Sequence, residues 1–372
     1  MTDSTLMKLA LRLARRGSGA TSPNPMVGAV LVQRGLVIGR GWHRQAGGPH
    51  AEVEALRDAA RRGHDPRGAT LYVTLEPCCT HGRTPPCTDA IIAAGIARVV
   101  VAATDPNPAH AGRGFRILRR AGLKVVTGVL ADEAVRLNEA FNHWIIHHTP
   151  FVTVKAAMTL DGKIATASGE SKWITGEAAR AEGMKLRLGT DAILVGVNTV
   201  LADDPALTAR TISNLKSPTA NPRLRRIILD SRARTPLTAK VVSDELAALT
   251  TIVVTKAAPA RRVAALAKRV NVWTAPGKAR VALRWLLKKL GRENVTSLLV
   301  EGGGEVNAAF LLDGFAHRVV FFYAPKILGG RHARKAVAGA GARSLAEALI
   351  LRAVEWRRVG DDLMMTALVS RG

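Results

Sequence analysis

The chain runs to 372 residues, 47% of them hydrophobic, with no stretch approaching about 18 consecutive apolar residues and no signal-peptide pattern at its start, so two cytoplasmic domains and no membrane contact are expected. Its 54 Lys and Arg against 29 Asp and Glu give a net charge of +25, but they are scattered without the dense block of a nucleic-acid arm; no nucleic-acid partner is expected, and the charge suits phosphorylated metabolites or dinucleotides. Three cysteines, an odd number, argue against a disulfide framework and leave thiols for metal or chemistry.

In chain order, residues 5–16 form an Arg-rich amphipathic helix, and 28–41 read as a β-hairpin turning at Arg34-Gly35. Residues 50–63 have the helical period, with Val53, Leu56 and Ala60 on one face. Strands over 69–77, 97–105 and 123–129 then alternate with helices over 87–95 and 114–122, a pattern that implies parallel pairing under covering helices. One helix over 131–148 closes this unit before Thr149-Pro150. The second unit opens with a strand running into a turn over 150–165, followed by strands at 191–196, 225–230, 250–255 and 297–304. Helical patterns lie near 177–189, 259–269 and 278–290, and the Pro-punctuated segment 213–224 is a surface loop. Domains of 1–148 and 150–372 follow.

Hydrolytic removal of an amino group from a heteroaromatic ring needs an activated water, an acceptor for its proton and a donor to the leaving amine. A zinc ion with three protein ligands supplies the first, and a carboxylate beside it the other two. His50-Ala51-Glu52 offers a ligand at a helix start with a carboxylate two residues on, while Pro77-Cys78 follows a strand and Pro86-Cys87 opens a helix, where a thiolate is favoured. Each residue alone is commonplace; their order and placement together match the zinc-deaminase pattern of H-x-E followed by P-C-x-x-C. The spacing departs from that pattern, with eight residues between Cys78 and Cys87 and a spare Cys79 too close to Cys78 to serve as third ligand. The metal ligands are therefore His50, Cys78 and Cys87, with Glu52 carrying protons. In the second unit G-x-G-x-x-G is absent, but Val300-Glu301-Gly302-Gly303-Gly304 places glycines between a buried strand and a helix, where backbone can approach a phosphate.

With residues 74–91, TLEPCCTHGRTPPCTDAI, in view, the chain resembles the bifunctional riboflavin-biosynthesis deaminase/reductase family. TSPNPMVGAV (21–30), HAEVEAL (50–56) and ATDPNP (103–108) fit its deaminase half. KAAMTLDGKIATASGESKWIT (155–175), VGVNTVLADDPALTAR (195–210), ILDS (228–231) and LLVEGGGEVNAAFL (298–311) fit its reductase half. The resemblance implies an α/β protein of two domains, an N-terminal cytidine-deaminase-like three-layer domain and a C-terminal dihydrofolate-reductase-like domain. It implies zinc-dependent deamination of 2,5-diamino-6-(5-phosphoribosylamino)pyrimidin-4-one to 5-amino-6-(5-phosphoribosylamino)uracil, then NADPH-dependent reduction of the ribosyl group to ribityl. Its partners would be that small phosphoribosyl-pyrimidine and further copies of the chain, associated through the reductase domain.

Carried onto this sequence, the resemblance makes Asn24, His43 and Arg83 contacts of the deaminase substrate. Thr80 followed by His81 departs from the family, which often has His shortly after the first Cys. Ala157, Trp173, Thr199, Asp203, Ser231, Gly303 and Gly304 would line the NADPH site, and Ser171, Arg187, Leu207, Arg210 and Glu301 would contact the phosphoribosyl substrate. Lys155, Asp161 and Glu301 are the ionisable candidates for the reductase acid, with no sequence feature choosing among them. Two other classes compete: an RNA deaminase, against which the Cys spacing and the VEGGG turn speak, and a scaffold with structural zinc, which would close all four metal positions with protein ligands.

Overall fold

The computed structural model describes residues 1–80, 85–209 and 223–370, which divide at His148 into two units. The first contains α1 (Asp3–Ala14), β1 (Gly28–Gln33), β2 (Leu36–Trp42), α2 (Ala51–Arg61), β3 (Thr70–Leu75), α3 (Cys87–Ala93), β4 (Arg98–Ala103), α4 (Arg113–Arg120), β5 (Lys124–Thr127), α5 (Ala131–Leu137) and α6 (Glu139–His147). Arg34 and Gly35 both take positive φ, 49° and 81°, the geometry that a two-residue hairpin link demands. The sheet order is β2-β1-β3-β4-β5. β3, β4 and β5 pair in parallel as expected, whereas β1 is antiparallel to both β2 and β3, because the hairpin reverses the chain before α2 crosses over. One face buries Leu31, Val73, Ile91, Val99 and Leu118, and the other buries Leu11, Val30, Tyr72 and Val100, giving a helix-covered sheet of three layers.

Two expectations need correction. In α2 the buried stripe is Ala51, Ala55 and Ala59 with Glu52; Val53 and Leu56 are half-buried and Ala60 is exposed. Glycines on β2 set this choice, since a Cβ on Gly39 would meet the Ala55 carbonyl oxygen at 2.3 Å and one on Gly41 the Ala51 carbonyl oxygen at 2.2 Å. Backbones that close accept only small residues between them. The helix over 131–148 is in fact two, broken at Asn138, whose buried amide accepts from Met26 N–H at 2.8 Å and donates to Met26 O at 2.9 Å.

The second unit contains β6 (Phe151–Thr159), β7 (Lys163–Ala165), α7 (Glu177–Leu188), β8 (Ala192–Gly196), α8 (Val197–Asp203), β9 (Arg225–Leu229), α9 (Lys240–Ser243), β10 (Thr250–Thr255), α10 (Ala260–Ala267), β11 (Asn271–Ala275), α11 (Leu283–Arg292), β12 (Ser297–Val300), α12 (Gly304–Leu312), β13 (Arg318–Ala324), β14 (Arg334–Lys335), β15 (Leu351–Val359) and β16 (Asp362–Val369). Its main sheet has the order β11-β10-β9-β8-β12-β6-β13-β16-β15, parallel from β11 to β13 and antiparallel through β16 and β15. The strand-helix alternation signalled the parallel part, but β11, β13, β15 and β16 were not among the expected strands. Most of the loop expected over 213–224 lies outside the described residues.

Because Gly41 lets α2 sit close enough to bring His50 and Glu52 into the site, Gly41→Ala is expected to destabilise the first unit by roughly 1–3 kcal/mol and to weaken zinc retention. Urea unfolding with zinc analysis measures both; a change under about 0.5 kcal/mol, within the range of an ordinary surface substitution, would contradict the close-packing account.

Candidate functional site

The turn from β2 into α2 places His50 at the helix N-cap and Glu52 in the first turn. Cys78 follows β3, and Cys87 opens α3 behind Pro86. His50 Nδ1 lies 3.2 Å from Cys87 Sγ and 3.4 Å from Cys78 Sγ, and the Cys87 backbone N–H donates to Cys78 Sγ at 3.3 Å. All three donor atoms fall within 4.8 Å of one another, a fit to zinc on geometry and on the chemistry of the donor set. The hydrogen bond with Cys87 draws Cys78 down to about 4, and that contact together with burial pushes Cys87 up. Glu52 is buried beside the thiols, and burial followed by the Cys78 charge raises its carboxyl to about 7.

Around this cluster His43 is almost fully buried, its ring edge-on to His50 with centroids 5.3 Å apart. Its Nδ1 meets the Pro49 carbonyl at 3.0 Å and must donate, so Nε2 accepts from the Asn24 amide nitrogen at 3.1 Å. Burial lowers the His43 pKa and favours this neutral tautomer. The Asn24 amide nitrogen is thereby committed to His43, and its amide oxygen takes no part in that bond. Cys79 stands apart from the triad, 3.9 Å from His110 Nδ1. Arg83 and His81 lie outside the described residues.

In the second unit two cavities open at the C-terminal ends of the parallel strands, where α/β sheets receive ligands. The larger, 1260 Å³, is lined by Ser171, Thr199, Asp203, Ser231, Gly303 and Gly304 among others. Gly304 is fixed by packing, since a Cβ there would meet Lys335 O at 2.3 Å, whereas Gly303 faces open space and leaves the α12 N-terminus approachable by phosphate. The smaller, 690 Å³, is lined by Ala157, Trp173, Ser171, Arg187, Leu207 and Glu301, with Lys155. Trp173 is 65% exposed beneath the Arg180 guanidinium and so is no core residue. Arg210 lies outside the described residues.

The fork of Arg187 is filled from within the protein, by Glu301 at 2.8 and 2.9 Å and by Thr208 O at 3.0 Å. Lys155 Nζ lies 3.6 Å from the same carboxylate. Burial alone would raise Glu301, but these two cations outweigh it and hold the group at about 2. Asp161, by contrast, accepts from Thr159 Oγ1 and from the backbone N–H groups of Leu328 and Gly329, fastening a loop outside both cavities. Lys155 was weighed in the sequence only as one of three; the cavity lining is what separates it from Asp161.

Residues 1–103 match the cytidine and deoxycytidylate deaminase zinc-binding region, and residues 150–365 match the RibD C-terminal domain. The riboflavin biosynthesis protein RibD of Aquifex aeolicus is 47% identical over 363 residues, covering 98% of this chain and 97% of its own. The chain belongs to the RibD family. The Escherichia coli RibD is 41% identical, covering 98% of this chain and 99% of its own. Among solved structures, Acinetobacter baumannii RibD superposes with a TM-score of 0.88 at 38% identity, and a Thermotoga maritima diaminohydroxyphosphoribosylaminopyrimidine deaminase/5-amino-6-(5-phosphoribosylamino)uracil reductase with 0.82 at 36%, each covering 99% of both chains. As a RibD-family member the chain is a bifunctional deaminase and reductase of riboflavin biosynthesis, acting on a small molecule with zinc and NADPH as cofactors. Among the described residues no helix is long and apolar enough to cross a membrane.

Replacing Arg187 with Met leaves Glu301 buried with Lys155 alone and is expected to destabilise the second unit by about 3 kcal/mol. Glu301 is depressed in the folded state, so its contribution is full above about 4.5 and is lost as the pH falls towards about 2. The stability gap between wild type and variant, read by urea unfolding across that range, should close on acidification; a gap independent of pH would refute the assignment.

Proposed function

We propose that Met1–His148 is the deaminase domain and that the second unit, 150–372, is the reductase domain, acting in succession on one phosphoribosyl-pyrimidine. In the first, His50, Cys78 and Cys87 would hold zinc, which when bound would supply a nucleophile at neutral pH by acidifying water. Glu52 accepts the proton of that water and passes it to the departing amine. The net change is 2,5-diamino-6-(5-phosphoribosylamino)pyrimidin-4-one and water to 5-amino-6-(5-phosphoribosylamino)uracil and ammonia. Burial suits Glu52 to this, since a carboxyl near neutrality both takes and gives a proton. Asn24, oriented by His43, reads the pyrimidine edge, and Arg83 meets the phosphate.

In the second unit NADPH, when bound, would supply hydride to the ribosyl carbon attached to nitrogen; the ring oxygen would leave that carbon with a proton from the protein, giving a ribityl chain and NADP+. The larger cavity takes the cofactor along Thr199, Asp203, Ser231, Gly303 and Gly304, and Ala157 and Trp173, which line the smaller cavity, meet its nicotinamide end. Ser171, Leu207, Arg210 and the Arg187–Glu301 pair shape the substrate end. Lys155, an ammonium facing the smaller cavity, is the group placed to give the proton. One observation carries the whole reading: the His50–Cys78–Cys87 cluster with its buried Glu52 occurs in the same chain as paired cavities at the ends of a parallel sheet.

Glu52→Gln tests the deaminase half. Ammonia release is expected to fall by roughly 10²–10⁴-fold while zinc content stays near that of wild type and supplied 5-amino-6-(5-phosphoribosylamino)uracil still drives NADPH oxidation. Undiminished ammonia release would remove Glu52 from the proton-carrying role.

We further propose a cytoplasmic homo-oligomer, with no nucleic-acid partner, joined through the reductase domain. β15 is an edge strand whose side chains are exposed on both faces, including Val354 and Trp356 at 46% and 59%. Val354→Glu should shift the mass measured by light scattering towards one chain; a monomeric wild type, or an unmoved oligomer, would count against association there.

A further inference from the structure

Segment 204–208 leaves the end of α8 and runs along the wall of the smaller cavity, which Asp204, Pro205, Ala206, Leu207 and Thr208 all line. Two of its residues take left-handed backbone without being glycine, Asp204 at φ 41° and Leu207 at φ 51°. For a bulky side chain that region is strained, and it persists only where the surroundings over-determine it. Leu207 is 4% exposed and belongs to the core cluster of Val200, Ile228 and Val241. The strained turn therefore falls on the residue where core and cavity wall meet.

The segment is gripped at three points. Asp204 N–H donates to Val200 O at 3.1 Å, and its carboxylate accepts from Lys240 N–H at 2.9 Å. At the other end Thr208 O accepts from Arg187 at 3.0 Å. Between them Ala206 O accepts at 3.0 Å from Arg226 Nη1. Arg226 stands near the start of β9, is 1% exposed and lines neither cavity. The rest of its fork is fixed as well: Nε donates to Thr250 Oγ1 at 2.8 Å, Nη2 donates to Val241 O at 3.3 Å, and the Asp244 carboxylate accepts from Nη1 and Nη2 at 2.6 and 2.8 Å.

The strain at Leu207 has one direct release, rotation of the Ala206–Leu207 peptide plane, which carries the φ of Leu207 back to negative values. The same rotation would swing Ala206 O away from Arg226 and turn the Leu207 N–H towards a buried guanidinium, donor against donor. The bond from Arg226 thus closes the one route by which the wall could relax.

We propose that Arg226 is a positioning residue for the reductase, acting through Ala206 O to hold the wall of the smaller cavity in the shape that admits the phosphoribosyl-pyrimidine. The inference rests on the smaller cavity being the substrate end of the reductase site. Arg226→Lys keeps a cation for Asp244 but offers one nitrogen where three donate. Steady-state kinetics of the full chain with supplied 5-amino-6-(5-phosphoribosylamino)uracil should show its KM raised at least about tenfold, the scale of one hydrogen bond from a charged donor, with the KM for NADPH within about twofold of wild type. Glycine takes the left-handed turn without strain. Adding Arg226→Lys to Leu207→Gly is therefore expected to raise the pyrimidine KM by less than about threefold. Equal factors in the two backgrounds, or a KM for NADPH that rises in step, overturn the positioning role. Asp244→Asn, which loosens the guanidinium from its far side, carries the same expectations if the lysine variant does not fold. Met184→Trp narrows the smaller cavity from α7. If it abolishes pyrimidine-dependent NADPH oxidation while Arg226→Lys leaves the pyrimidine KM unmoved, the role of Arg226 alone is overturned. If Met184→Trp keeps wild-type turnover and KM, the cavity reading falls and the inference with it.

Discussion

Each unit is organised around a carboxylate taken out of water, and the way its charge is answered decides what each site can do. An isolated buried carboxylate is costly, and a protein relieves the cost by protonating it or by surrounding it with cations. Glu52 sits beside thiols, and its carboxyl rises to about 7. Glu301 sits between Arg187 and Lys155 and stays ionised down to about 2. The first is thereby suited to the proton-carrying role proposed for it, and the second is a fixed charge that holds two cations in place at the wall of the smaller cavity.

Neither environment is local. Glu52 is buried because Gly39 and Gly41 let α2 settle onto β2, so the alanine stripe of the helix is inside and the carboxylate goes with it. Glu301 comes from the end of β12, Lys155 from β6 and Arg187 from α7, elements that meet only when β12 inserts between β8 and β6. A sheet built this way gathers residues from strands far apart in sequence at one edge of the layer, which is why both cavities lie at the strand C-termini. The same edge carries Ser231, Arg232, Arg234 and Arg280, whose loops Asp230, Arg262 and Thr255 fasten without touching the cavity chemistry.

Short-range chemistry was legible from the residues alone. The hairpin at Arg34-Gly35 and the helix starting at His50 follow from turn chemistry and periodicity, signals read between near neighbours. His50-x-Glu52 and the two Pro-Cys pairs carried the ligand types, and the resemblance of long motifs supplied the substrate and the cofactors. Periodicity misjudged α2, because the larger apolar side chains of Val53 and Leu56 draw the expected face, while only alanine fits against a glycine strand. It also ran α5 into α6, because the break at Asn138 is made by the backbone of Met26, more than a hundred residues away.

The sequence by itself determined the kinds of atom available: one imidazole, two thiols and a carboxylate in order, and glycines at the end of a buried strand. Only the tertiary structure decided which of these meet. Cys87 comes within 3.2 Å of His50 across 37 residues of chain, Lys155 rather than Asp161 reaches the cavity, and the Arg187 fork closes on Glu301. The physical reason is one of range. Turn preferences and helical period act over a few residues, whereas the partner of a buried charge is chosen by which faces pack together, and that is settled only once the sheet is assembled.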